Sequence, residues 1–211
     1  NVIVDRYIRS VGDPISNLYL YEIEGVWQLD SKEKPWGPNG FNDYGLFKIK
    51  DQDGNHQIDA DDRVKKGSPE PKVSGGLTNT FTYKNWSLNV VCTYMLGNKL
   101  FNIPKAYLEW GHPQHVTDWE FAENHWSVTN PTNEYERSCT DLNRVTHLSS
   151  ANVSLSSDKW LEDASFLKIA NINLSYSFPK KWISRLNLTS ASLGLSVSNV
   201  YTFTKYSGLS P

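Results

Sequence analysis

The chain has 211 residues, enough for one or two ordinary soluble domains, and a formal net charge of −2. That balance leaves no basic field to hold a nucleic acid. No run approaches the ~20 apolar residues of a membrane helix, which excludes a helical membrane protein but not one built from alternating strands. Hydrophobic residues supply 38% of the chain and aromatics 13%, with eight Trp and eleven Tyr, a mix suited to boundaries between polar and apolar surroundings. The start, Asn1-Val-Ile-Val, has neither a Met nor a basic leader, and the sequence reads as part of something longer.

In chain order, a weakly patterned strand is expected over about 17–27. A long connection, about 28–72, follows it and holds an acidic segment. From Asp51 to Asp62 oxygen donors fall at Asp51, Asp53, Asn55, the backbone carbonyl of Gln57, Asp59 and Asp62. These are positions 1, 3, 5, 7, 9 and 12 of a twelve-residue calcium loop. Ile58 stands where such loops dock an apolar side chain. Position 6, which needs a sharp turn, is His56 in place of Gly, and position 12 is an Asp shorter than the usual Glu. The segment is expected to hold structural Ca2+ or another hard divalent cation; an acidic solvated turn is the plainer alternative.

Four strands with period-two alternation follow. Over 73–83 one face carries Val73, Leu77, Phe81 and Tyr83, and the other Ser and Thr with Gly76. Over 86–96 the apolar face is Trp86, Leu88, Val90, Cys92, Tyr94 and Leu96. Only Lys84 and Asn85 separate these two, a hairpin turn. Over 166–178 the apolar set is counted as Phe166, Ala170, Ile172, Leu174, Tyr176 and Phe178, and over 191–203 as Ala191, Leu193, Leu195, Val197 and Tyr201. Soluble strands average ~5–6 residues, whereas a tilted membrane strand needs ~9–11. The polar faces are small and uncharged, unlike a soluble surface. Aromatics cluster at the strand ends, as in a membrane girdle.

Short connections at 84–85 and 179–190 alternate with long ones at 28–72 and 97–165. Barrels of the bacterial outer membrane have short periplasmic turns and long extracellular loops. The expected fold is therefore all-β: a portion of a large antiparallel transmembrane β-barrel, with the whole of 1–211 contributing strands and long extracellular loops. Four or five strands cannot close a barrel, so further strands are required.

The long connection 97–165 is rich in aromatics. Trp110, Trp119 and Trp126, with Tyr107 and Tyr135, are candidates to touch substrate or a partner protein, or to form the loop's own core. The five His, at 56, 112, 115, 125 and 147, meet no metal-site pattern. The two cysteines, Cys92 and Cys139, form no zinc spacing and read as inert thiols rather than a disulfide. No GxSxG, P-loop or GxGxxG occurs, and the expectation is that the chain is not an enzyme.

A set of ordered motifs carries a family resemblance. They are Tyr21-Glu-Ile-Glu-Gly-Val-Trp27, the acidic loop from Lys50 to Arg63, Gly67-Ser-Pro-Glu-Pro-Lys72 and Gly75-Gly-Leu. Then come His125-Trp-Ser-Val-Thr-Asn-Pro131, Lys159-Trp-Leu-Glu-Asp-Ala-Ser-Phe-Leu-Lys168, Leu174-Ser-Tyr-Ser-Phe-Pro179, and Ser198-Asn-Val-Tyr-Thr-Phe-Thr-Lys-Tyr-Ser-Gly-Leu209. In this order the chain resembles the carboxy-terminal part of the SusC/RagA-type TonB-linked outer-membrane proteins of Bacteroidetes. His56 and Ala164 stand where that family usually has Gly. The resemblance implies a roughly 22-stranded barrel with an amino-terminal plug outside this chain. It implies coupling to TonB, a SusD-like surface lipoprotein as partner, and glycans or peptides as substrate. Two other readings remain open: a soluble calcium-dependent carbohydrate-binding β-domain, and a passive porin or adhesin barrel.

Overall fold

The computed structural model describes residues 2–37, 42–109, 116–138, 156–186 and 188–209. These divide into two compact units. One comprises Asn1–Pro69 and Leu100–Glu162, the other Glu70–Lys99 and Asp163–Pro211. The fold is mostly antiparallel sheet with a few short helical turns. No helix among the described residues is long and apolar enough to cross a membrane.

The first unit contains β1 (Val2–Val4), β2 (Tyr7–Arg9), β3 (Asn17–Tyr21) and β6 (Arg63–Gly67), hydrogen-bonded in the order β1-β2-β3-β6. A second, two-stranded sheet pairs β4 (Ile23–Val26) with β5 (Phe47–Ile49). Segment 17–27, expected as one strand, is thus two strands in different sheets. Residues of both parities are buried in β3, among them Leu18, Leu20 and Tyr21. A strand packed on both sides cannot turn one face to lipid, so this segment is ordinary core. The turn is fixed at Glu22, whose carbonyl accepts the Lys50 amide while its carboxylate pairs with Lys50 and Lys66.

The core of this unit gathers Tyr21, Val26, Phe47, Ile49, Ala106, Trp126 and Trp160, with Ile58 and Phe101 packed against it. Trp160 lies edge-on to both Phe47 and Phe101 and donates its indole N–H to Glu109 at 3.1 Å.

The second unit is one four-stranded sheet, ordered β12-β11-β8-β7. Its members are β7 (Val73–Tyr83), β8 (Trp86–Leu96), β11 (Phe166–Ser177) and β12 (Ser192–Thr204), of 11, 11, 12 and 13 residues. The remaining two strands, β9 (Lys99–Phe101) and β10 (Leu161–Asp163), pair with each other. Residues opposite one another in a ladder share a face, so the register fixes the apolar rows. Leu193, Tyr176, Trp86 and Tyr83 form one row; Leu195, Leu174, Leu88 and Phe81 form the next. The opposite face carries Ser196, Asn173, Asn89 and Thr80 in a single row, with Asn89 donating to the Thr80 hydroxyl at 2.9 Å.

One expectation fails in β11. A bulge between Ile169 and Asn171 sets Ala170 out of register with β8. Beyond it the parity reverses: Leu167 and Ile169 join the apolar face opposite Tyr94 and Cys92. Phe166 and Lys168 fall on the polar face opposite Met95 and Thr93. An extra unpaired residue shifts every later side chain by one, which counting in twos cannot reveal.

Glycine matters at two places. Gly75 lies beside Tyr94, and a Cβ there would stand 2.7 Å from the phenol oxygen, so the missing side chain gives the ring its place. Gly45, at φ +80°, would drive a Cβ to 2.3 Å from the Trp126 ring. Its amide also donates to Trp27 O and its carbonyl accepts from the Arg137 amide. Gly45→Ala combines left-handed strain with overpacking and should cost roughly 2–4 kcal/mol. Amide exchange in the detergent-solubilised protein checks this: protection at Trp27, Gly45 and Arg137 should collapse while that of β8 persists.

Candidate functional site

The acidic segment folds as a tight loop leading into β6. Asp51 anchors it, with one carboxylate oxygen accepting the Gly54 amide at 2.7 Å and the other the His56 amide at 2.9 Å. Asp53 accepts the amide and the side-chain N–H of Asn55, and Asn55 accepts the Gln57 amide. Asp59 caps a single 3₁₀ turn, Ala60–Asp62, and Asp62 returns a bond to the Asp59 amide. The other oxygen of Asp62 accepts the Gln52 amide at 2.8 Å, and the residue is fully buried. Two amides therefore stand against the charge that burial would otherwise leave uncompensated.

This folding brings Asp51, Asp53 and Asp62 together, each offering a carboxylate oxygen within 4.8 Å of the other two. Asp59 lies outside that group and serves the 3₁₀ turn, while Asn55 and Gln57 form the turn after Asp53. His56, at the position where a calcium loop normally has Gly, adopts φ +62°. It therefore takes the left-handed conformation that glycine supplies at little cost, and its ring stacks on Trp36 at 4.7 Å. Ile58 packs against the buried core, as its loop position predicts. Partial desolvation of Asp51 acts to raise its pKa, but the amides of His56 and Gly54 outweigh it and hold the group below the usual carboxylate range. Three clustered carboxylates are the donor chemistry of a hard cation.

The three tryptophans separate. Trp126 is 6% exposed, sits in the core and donates its indole N–H to Gln28 at 2.8 Å. Of the two roles expected for it, contact residue or part of the loop's own core, its burial fits the second. Trp119 opens a short helix, Trp119–Asn124, and is 73% exposed while Phe121 of the same helix is buried. The amide of Asp118 donates to Leu108 O, which brings the exposed Tyr107, Leu108, Val116 and Trp119 into one neighbourhood. Trp110 lies outside the described residues, as do Cys139, His112, His115 and His147.

Sequence reasoning missed a buried charged group. Glu136 lies in the interior, accepting the Phe47 amide at 2.8 Å, and burial raises its pKa to about 7. Burial also raises Glu109 and depresses Lys159, whose ammonium stands 5.1 Å over the Tyr135 ring. Tyr135 is pushed up to about 12, first by burial and then by the nearby Glu109 and Glu120. The only signal in the sequence was Glu136 directly following an aromatic residue, which is too common to be informative.

A raised carboxyl favours the protonated folded state. The contribution of Glu136 is therefore intact below about pH 4.5. It is lost as pH rises to about 7, by on the order of 3 kcal/mol. Glu136→Gln keeps an acceptor for Phe47 and removes the charge. The variant should match the natural protein at pH 4.5 and exceed it in local stability at pH 8. Amide exchange at Phe47, corrected for intrinsic rate, reads the difference; an unchanged gap between pH 4.5 and 8 would refute it.

Comparison with known proteins places the chain. No protein-family model matches it. It is 28% identical over 205 residues to the TonB-dependent receptor P3 of Formosa agariphila, covering 97% of this chain and 19% of that protein. It is 23% identical over 217 residues to TonB-dependent receptor P26 of the same organism, covering 100% of this chain and 21% of that protein. To the TonB-dependent receptor SusC of Bacteroides thetaiotaomicron it is 28% identical over 169 residues, 76% of this chain and 15% of that protein. Among solved structures, that of the RagAB peptide transporter superposes with a TM-score of 0.72 at 22% identity, covering 97% of this chain and 20% of the other. The chain thus spans about a fifth of the length of the first curated relatives it matches. Its fold is that of a portion of this transporter barrel. The proteins it resembles are receptors and transporters, not enzymes.

Proposed function

We propose that this chain, which resembles the SusC/RagA-type TonB-dependent receptors over nearly its whole length, is part of an outer-membrane transporter. That transporter imports glycans or peptides together with a SusD-like surface lipoprotein, and TonB engages a part of it outside this chain. The observation that carries the reading is the uncovered apolar face of the second unit. Leu77, Phe81, Leu193, Leu195 and Phe203 are each more than half exposed, in strands of 11 to 13 residues. A water-soluble sheet buries such a face; a membrane barrel turns it to lipid. The outer strands β7 and β12 each have one neighbour among the described residues, and an open edge is not tolerated in lipid. Further strands must flank them, which agrees with relatives several times longer. The same face disfavours the soluble carbohydrate-binding domain, because nothing among the described residues covers it.

On this reading the long connections stand outside the cell, and Trp119 with Tyr107, Leu108 and Val116 is the patch that meets the lipoprotein. Deleting the gene in its host should abolish growth on the imported glycan or peptide, and deleting TonB should do the same. Growth that survives loss of TonB would favour a passive barrel. Trp119→Ala should cut recovery of the lipoprotein with the purified transporter by tenfold or more; unchanged recovery would move the contact elsewhere.

We further infer that the acidic loop binds calcium through Asp51, Asp53 and Asp62, with Asn55, Gln57 and Asp59 completing the ligand set. The ion would tie the loop, through Ile58, to the core of its unit. Calcium at a hundredfold excess over its dissociation constant should stabilise the unit by about 2.7 kcal/mol. Thermal unfolding and exchange across 51–62 with calcium or chelator measure this, and Asp53→Asn should abolish the difference. An identical response to calcium and chelator would leave the loop a solvated turn.

A further inference from the structure

The turn end of the four-stranded sheet carries an unexpected concentration of charge. The connections 84–85 and 178–191 hold Lys84, Lys180, Lys181 and Arg185 and not one Asp or Glu, in a chain whose acids outnumber its bases. The two connections lie together. Asn85 donates its side-chain N–H to Ser177 O at 2.8 Å and accepts the Ser177 amide at 2.9 Å, and the Phe178 amide donates to Ala191 O. After Pro179 a short helix, Lys180–Ile183, runs on into a 3₁₀ turn, Ser184–Leu186. Lys181 and Arg185, four residues apart, fall on one side of it. With Trp182 they line a recess of about 260 Å³. Among the described residues no carboxylate lies within salt-bridge distance of either cation. Like charges at this spacing repel unless an anion sits between them.

The same end of the sheet has a groove of about 390 Å³ on its apolar face, lined by Trp86, Leu174, Tyr176, Phe178, Leu193 and Leu195. Trp86 packs on Tyr176 at 4.8 Å and Tyr176 on Phe178 at 5.3 Å, so the groove has a stiff aromatic wall. Its lining is side chains that stand on the face of the sheet, above the β8-β11 and β11-β12 ladders where the backbone groups between the strands are already spent. A peptide laid there would bury amides without partners, at a cost no side chain here offsets. A hydrocarbon chain has no such requirement. A free anion would use the recess and leave the groove empty.

We propose that this end of the sheet binds an anionic phospholipid, its acyl chain in the aromatic-walled groove and its phosphate between Lys181 and Arg185. The site rests on the membrane reading of the second unit. Short connections mark the periplasmic side in that reading, where the leaflet is phospholipid, and basic pockets beside a membrane surface take anionic head groups. Exposed Trp182, at 59%, supplies the interfacial ring beside the phosphate.

The test reconstitutes the full-length protein in nanodiscs of phosphatidylcholine, with or without phosphatidylglycerol, and releases it for native mass spectrometry. The natural protein should retain phosphatidylglycerol several-fold above its share of the bilayer, and K181Q/R185Q should retain it at bulk proportion. Leu193→Trp, which fills the groove and leaves the cations in place, should reduce retention as well. Equal retention by the natural protein and K181Q/R185Q would overturn the proposal. So would inorganic phosphate in pure phosphatidylcholine raising the unfolding temperature as much as phosphatidylglycerol does, since that marks a soluble-anion site. Failure to insert into either bilayer would instead overturn the membrane reading, and the site with it.

Discussion

An extended strand sends successive side chains to opposite faces, and the second unit depends on that constraint. Because β7, β8, β11 and β12 run in register, one residue's face decides its row across the whole sheet. Rows such as Leu195, Leu174, Leu88 and Phe81 concentrate apolar surface on one side, while Ser, Thr, Asn and Gly make up most of the other. The ladders satisfy the backbone between neighbours, which frees the apolar side to meet a medium that offers no hydrogen bonds. The bulge at Ala170 preserves the pattern: by reversing parity it keeps Leu167 and Ile169 on the apolar face and puts Lys168 on the polar one.

The first unit follows different physics. Its strands are short, β3 is buried on both faces, and large aromatics from two small sheets gather in its core. Trp126 and Trp160 satisfy their indole N–H groups on Gln28 and Glu109, so burying them leaves no orphan donor. Ile58 fastens the acidic loop to this core, and Asp59 caps the 3₁₀ turn that leads into β6, with Asp62 accepting the Asp59 amide in return. The carboxylates of Asp51, Asp53 and Asp62 are thus held near one another by the chain itself. Glu136, taken into the same interior, carries a desolvation cost that its single amide donor offsets only in part.

Long period-two segments were legible in the sequence because no bulge interrupts them: β7 and β8 pair residue for residue from Val73 with Leu96 to Tyr83 with Trp86. The acidic loop was legible from ligand spacing, and the left-handed His56 shows how a non-glycine residue serves at the turn position. Three features were not legible. The parity of β11 turns on one bulged residue, and its flanks are apolar in both phases. The region 17–27 reads as one strand because the break at Glu22 is set by partners, Lys50 and Lys66, far along the chain. Trp126 and Trp119 look alike in sequence and differ only in which side of the loop core they face.

The face assignment on which the transporter reading stands can be measured directly. Single cysteines at Leu193, Leu195 and Val197 on one face of β12, and at Gly194, Ser196 and Ser198 on the other, would carry nitroxide labels in the protein reconstituted in a bilayer, with the native cysteines replaced. The three odd positions should be accessible to oxygen dissolved in the hydrocarbon, and the three even ones to a water-soluble nickel complex, in strict alternation. Equal access of the nickel complex to both sets would mean that the apolar face meets water or protein, and would contradict the membrane assignment of this sheet.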